Sequence, residues 1–208
     1  MRRLVSMVLS AVLVAGSVTA LAAAPVSERQ AKKMLFKGPK FRVDMIEGAA
    51  IDAGLQAQVD GLVKVLLSPQ AALMFADSGY YGAIAVVPDR PISEKSFVLS
   101  TRLHNPQAAV NAALAACNDL DGPACVAVAL ILPKRYKPRD FTLSQEATEA
   151  FRSGWKSQGT PKYLAYSPST NAFVIAAGPG ADAAALEQCN ANASAAGSRD
   201  CVIGIADE

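Results

Sequence analysis

The sequence predicts an α+β fold made of two pseudo-repeated ββαβ units, each an antiparallel sheet covered by helices, behind an N-terminal helical extension. Three observations predict it. A cysteine-marked stretch occurs twice: Ala112-Ala113-Leu114-Ala115-Ala116-Cys117-Asn118 reappears as Ala184-Ala185-Leu186-Glu187-Gln188-Cys189-Asn190. Each copy has a second cysteine downstream, followed by valine, at Cys125-Val126 and Cys201-Val202. Each copy is also preceded by a Tyr-rich apolar strand and then a Phe-Val-aliphatic strand.

The chain opens with the pattern of a secretory signal. Arg2 and Arg3 form a positive n-region, Leu4 to Val18 an apolar core, and Ala20-Leu21-Ala22 a small-x-small cleavage site. Residues 1–22 are read as the signal and Ala23 as the mature start. An uncleaved anchor is the alternative, because Leu4 to Ala24 approaches spanning length. Ser6, Ser10, Gly16 and Ser17 interrupt that stretch and favour the signal. The working protein is therefore expected in a periplasmic or secreted compartment.

Removing residues 1–22 takes two arginines and no acids from a chain of 20 basic and 18 acidic residues, leaving 18 of each. A neutral domain has no global field to attract nucleic acid or an anionic membrane. Nucleic acid is not expected as a partner, and no stable membrane insertion is expected after cleavage. About 186 residues remain, Ala-rich and half hydrophobic, enough for a sizeable core.

In the extension (23–79), Ser27-Glu28-Arg29-Gln30 reads as a capping box opening a helix through Leu35. Phe41, Val43 and Met45 alternate with Arg42 and Asp44, which suits a short strand. A helix with Leu55, Val59, Leu62, Val63 and Leu66 on one face follows, and Ser68-Pro69 restarts a short helix through Phe75. The first unit (80–133) has strands at Tyr81 to Val87 and Phe97 to Leu103. Asn105-Pro106 then caps a helix facing inward through Ala109, Val110, Ala113, Leu114 and Cys117, and Cys125 to Leu132 is a buried strand. In the linker (134–161), Thr142-Leu143-Ser144-Gln145 opens a helix whose Leu143, Ala147, Ala150, Phe151 and Trp155 share a face. The second unit (162–208) repeats the first: Tyr163 to Tyr166, Phe173 to Ala177, a helix over about Asp182 to Asn190, and a strand from Cys201 to Ile205.

An exported chain with four cysteines is expected to carry disulfides. Three connectivities exist. The repeat favours Cys117–Cys125 with Cys189–Cys201, since one rule then serves both units, and each bridge would add about 2–3 kcal/mol. Zinc is the competing reading, although the spacings are too long for paired short knuckles.

Tyr81-Gly82-Ala83-Ile84-Ala85, the Ala-Ala-Leu-x-x-Cys helix ends and the Cys-Val strands together resemble a family of small exported bacterial domains of unknown function. The resemblance covers about 80–132 and 162–205 and brings no catalytic residues with it. Relatives are sometimes labelled aminolevulinate synthase. That enzyme needs pyridoxal phosphate on a lysine, cytosolic acyl-CoA and a far longer chain, so the label is not adopted.

Sites of chemistry are sparse. Gly178-Pro179-Gly180-Ala181-Asp182-Ala183 matches G-x-G-x-x-A, but the equivalent turn of the first unit, Leu103-His104-Asn105-Pro106, has no glycine, so a plain strand-to-helix turn is expected. His104 is the one histidine. A Ser-His-acid hydrolase would have to use it, with Ser100 or another serine as nucleophile; a polar loop position before the Asn105 cap is the simpler reading. Neither a metal site nor a cofactor is expected. Lys134, Arg135, Lys137 and Arg139 form the strongest local charge feature, either a surface that grips an anionic envelope polymer, a lipid headgroup or an acidic envelope protein, or a solvated loop joining the repeats. Tyr80, Tyr81 and Trp155 could line a groove, although core packing suits them better. Asn192-Ala193-Ser194 fits a glycosylation sequon. The leading expectation is a non-catalytic binding or interaction protein of the envelope or the secreted fraction. The alternatives are a periplasmic hydrolase using His104, and an inhibitor of a foreign enzyme presenting loop 88–95.

Overall fold

The computed structural model describes residues 24–74, 79–120 and 122–208. The signal expected over 1–22, the end of the short helix at Phe75, and Asp121 lie outside the described residues. In chain order the elements are β1 (Val26–Ser27), α1 (Glu28–Met34), β2 (Phe41–Met45), α2 (Ala53–Leu66), α3 (Pro69–Met74), β3 (Gly82–Val86), β4 (Phe97–Ser100) and α4 (Pro106–Asn118). They continue with β5 (Val126–Pro133), α5 (Gln145–Gly154), β6 (Lys162–Tyr166), β7 (Phe173–Ala177), α6 (Ala181–Ser194) and β8 (Val202–Asp207), and a 3₁₀ turn, Trp155–Ser157, extends α5.

Two four-stranded sheets form, ordered β2-β5-β3-β4 and β1-β8-β6-β7. All pairings are antiparallel except β1 with β8. The α+β class holds. Each ββαβ run places its third strand beside its first, and the register shifts at Ile84/Ala85 in one sheet and Leu164/Ala165 in the other.

Helices cover both faces of each sheet. Ala83, Ala85 and Val87 meet Ala109, Ala113 and Cys117 of α4, while Ile84 and Val86 meet Leu55, Val59 and Leu66 of α2. β3 is consequently buried at all five positions, and its sequence shows no polar alternation. In the second sheet, Ala165 packs under Ala185 and Cys189 of α6, and Leu164 and Ile205 under Leu35, Phe151 and Trp155. The alanines of α4 and α6 let those helices approach the sheets closely, so contact area comes from backbone proximity rather than large side chains.

The N-terminal segment contributes to both sheets: β1 pairs with β8, and β2 pairs with β5. α1 keeps its capping box, with Ser27 Oγ accepting from Gln30 N and Gln30 Oε1 accepting from Ser27 N. α6 runs to Ser194, beyond the expected Asn190, because Ala193 is buried against the sheet. Ser144 is the N-cap of α5, so Thr142 and Leu143 precede that helix.

Gly82 is where β3 and β4 need the smallest residue. A Cβ there would lie 2.6 Å from the Ser100 carbonyl oxygen, a backbone atom that cannot swing away. Gly82→Ala is expected to lose about 2–4 kcal/mol. Gly61→Ala in α2, where a Cβ meets nothing within 4 Å, is expected to gain about 0.5–1 kcal/mol. Urea melts of the two variants check the contrast, and equal midpoints would disprove the close approach.

Candidate functional site

The segment after α1 is clamped onto the chain that follows β5. Tyr80 Oη donates to the Phe36 carbonyl at 3.1 Å, Arg152 to the Leu35 carbonyl at 3.4 Å, and Lys134 N to the Lys40 carbonyl at 2.9 Å. Arg139 lies over the Phe36 ring, 3.8 Å from its centroid, and donates to the carbonyls of Lys33 and Met34 at the end of α1. These carbonyls are the helix's unsatisfied C-terminal acceptors, so the guanidinium fills a need that the fold creates.

Between the two segments lies a cleft of about 670 Å³. One wall carries Lys32, Lys33, Lys37 and Lys40, the other Lys134, Arg135 and Arg139; Leu35, Phe36 and Pro133 close the floor. Among the described residues no carboxylate lines it. Lys32 pairs with Glu28, and Arg139 is engaged by the α1 carbonyls. Among the described residues no carboxylate forms an ion pair with Lys33, Lys37, Lys40, Lys134 or Arg135. Like charges gathered in a concavity reinforce one another and raise the local concentration of anions.

Three of the four basic residues singled out from the sequence, Lys134, Arg135 and Arg139, therefore line the cleft, and Lys137 does not. Sequence reasoning missed the opposite wall. The signal for it was present, four lysines between residues 32 and 40, but nothing local ties them to residues a hundred positions away.

His104 is fully buried. Its Nδ1 accepts from Ser144 N at 3.0 Å, which places the ring proton on Nε2, and Nε2 donates to the Ala172 carbonyl at 3.1 Å. The His104 carbonyl accepts from Thr142 Oγ1 at 2.6 Å, and the ring meets Tyr166 edge-on at 5.3 Å between centroids. Burial pushes its pKa down to about 4, against the partial opposition of hydrogen bonds to the Ala172 and Asn171 backbone. Both nitrogens are committed to backbone groups, so neither reaches a serine hydroxyl, and Ser100 stands on β4 without a bond to the ring. Among the described residues no Ser-His-acid arrangement is assembled on it. Instead of an exposed loop position, His104 ties the β4–α4 turn to the start of α5 and to the approach to β7.

Cys117 bonds to Cys125 and Cys189 to Cys201, which replaces the zinc reading. The Asn after each first cysteine accepts from the backbone N–H of its partner cysteine, at 2.8 Å for Asn118 and 3.1 Å for Asn190. Among the described residues no cluster of three His, Cys, Asp or Glu could hold a metal ion, and no helix is long and apolar enough to cross a membrane.

Tyr81 and Trp155 are core residues, and burial raises the phenol pKa of Tyr80 to about 12 and that of Tyr81 further. Tyr80 does border a smaller recess of about 320 Å³, but Arg102, Glu146 and Glu149 there mix both charge signs. Gly178 and Gly180 sit at φ of 100° and 73°, so the G-x-G pair makes a left-handed turn into α6. The Asn192 sequon lies within α6. Loop 88–95 is braced from within by Ser96 and tied to α2 through Gln58 Oε1, which accepts from Ile92 N. No family model matches the chain, and neither does any curated protein or solved structure.

Proposed function

We propose that this chain is an exported, disulfide-stabilised binding protein that takes an anionic partner in the cleft between residues 32–40 and 133–139. The observation that carries the reading is the charge arrangement: five cations that, among the described residues, have no ionic partner face one concavity that no described carboxylate lines. Residues 23–208 as a whole carry 18 basic and 18 acidic residues, so attraction is local to this cleft rather than global. Two paired disulfides suit an oxidising compartment, periplasmic or secreted, in keeping with the signal expected over residues 1–22. The equal strand order, matching register shifts and matching Cys-Asn clasps support an origin from two copies of one ββαβ unit. The resemblance to small exported domains fits the same picture. Burial of His104 gives the hydrolase alternative no support.

Binding of inorganic polyphosphate, followed by fluorescence anisotropy, tests the cleft. Lys37→Glu with Lys134→Glu, one reversal on each wall, is expected to weaken it by about tenfold or more and to flatten its salt dependence. Lys137→Glu, outside the cleft, is expected to change it far less. Equal losses in the two cases, or no binding by the unaltered protein, would overturn the reading.

A further inference from the structure

The cleft opens directly onto an unpaired sheet edge. Among the described residues β2 is the terminal strand of its sheet and pairs only with β5. Lys134 N donates to the Lys40 carbonyl and Ile46 N to the Val128 carbonyl, both at 2.9 Å, which fixes the phase of the ladder. Residues 40, 42, 44 and 46 turn their backbone groups inward to β5. In an antiparallel ladder the alternate residues, Phe41, Val43 and Met45, must then turn their N–H and C=O groups outward. Among the described residues no strand pairs with that outer side.

An outward row of donors and acceptors is a template for another extended chain. β1, β4 and β7 are edge strands as well, but β2 alone runs out of the basic cleft: Lys40 lines the cleft, and the next residue, Phe41, begins the strand. The floor residues Leu35, Phe36 and Pro133 are buried, so the cleft offers charge without an apolar slot, which disfavours a lipid anchor as its occupant. Lysines dominate its walls, and their compact, mobile charges suit flexible carboxylate side chains that need no fixed fork.

Resting on the anionic-partner reading, we infer that the partner is an extended acidic peptide segment that adds as a strand to β2. Its carboxylates sit among Lys33, Lys37, Lys40, Lys134 and Arg135, and its backbone pairs with Phe41, Val43 and Met45. The charges choose the partner and bring it in, while the backbone bonds fix its direction and register.

The test uses the full disulfide-bonded chain and a fluorescein-labelled peptide with a run of glutamates followed by alternating valine and threonine. Binding is expected, with newly slowed amide exchange at Phe41, Val43 and Met45. The same peptide N-methylated at alternate residues is expected to bind at least about tenfold more weakly, since each lost hydrogen bond is worth about a factor of five. Met45→Pro removes an outward N–H at an exposed position of β2, so it should weaken the peptide by about a factor of five while leaving polyphosphate binding intact. Equal affinity for the methylated and unmethylated peptides, measured on the unaltered chain, would overturn strand addition while leaving the cleft as an anion site. Polyphosphate binding without peptide binding would do the same. Failure of both ligands would remove the anionic-partner reading as well.

Discussion

Reducing both disulfides is expected to cost the fold about 5 kcal/mol, the largest single loss we foresee. The bridges close short loops, with sequence separations of 8 for Cys117–Cys125 and 12 for Cys189–Cys201. The loop-closure entropy each removes from the unfolded chain corresponds to about 2.5–3 kcal/mol. Domains of this size are stable by about 5–15 kcal/mol in total, so the pair amounts to a third or more of the margin. The placement makes the loss cooperative. Cys117 and Cys189 are fully buried on the sheet-facing sides of α4 and α6; the first bond holds the end of α4, and the second a point five residues before the end of α6, against the start of the following strand. Urea unfolding with and without a phosphine reductant measures the effect. Cys125→Ser and Cys201→Ser are each expected to lose about half of it. Variant midpoints equal to that of the oxidised protein would show that packing alone holds the helices. A chain that depends on these bonds would be marginal in a reducing cytosol, which connects the prediction to the proposed export.

The parts of the fold that were legible are those written in short-range pattern. β3, β5 and β8 are apolar runs bounded by turn residues, α4 is announced by Asn105-Pro106, and the recurring Cys-Asn helix end pointed to the pairing of all four cysteines. What was not legible depends on contacts between distant residues. β1 is only two residues long and exists because β8 pairs with it, a contact across most of the chain. α6 continues through Asn190-Ala191-Asn192, whose local preference is to stop, because the burial of Ala193 outweighs propensity. Half of the cleft was visible as the basic run from Lys134 to Arg139. Its other wall lies about a hundred residues earlier, and Arg139, which reads as one more surface charge, is the strut that brings the two together. Trp155 could have faced a groove on its composition alone; it is buried instead, with the Lys162 ammonium 5.2 Å from its ring.

His104 was the least legible residue, because a histidine before a helix cap looks solvated and its partners Ser144 and Ala172 stand 40 and 68 positions away. Its burial has a thermodynamic consequence. The folded protein holds the ring neutral, with a pKa of about 4, against 6.5 for an unperturbed histidine. Between those values the unfolded chain binds the proton and the folded chain does not, so stability rises with pH. The contribution is complete above about pH 6.5 and is lost as pH falls toward 4, amounting to about 3 kcal/mol at one and a third kcal/mol per pH unit. Asp200 and Glu28 also lose stabilisation in acid, but only near and below the carboxylate range. Hydrogen bonds from Ser167, Ser169 and Ser198 outweigh the burial of Asp200, and Lys32 holds Glu28 ionised. Those losses are common to the parent and to a His104→Gln variant, so the difference between the two isolates the ring, apart from the attraction of Asp200 for the imidazolium. The variant is expected to be less stable at pH 7 by about 2 kcal/mol, since a buried N–H or C=O loses its partner. It is also expected to lack the slope between pH 6.5 and 4. Urea melts of both proteins across that range decide the matter: parallel curves would mean that His104 titrates as an exposed histidine does and that the tie between the two sheets is open in solution.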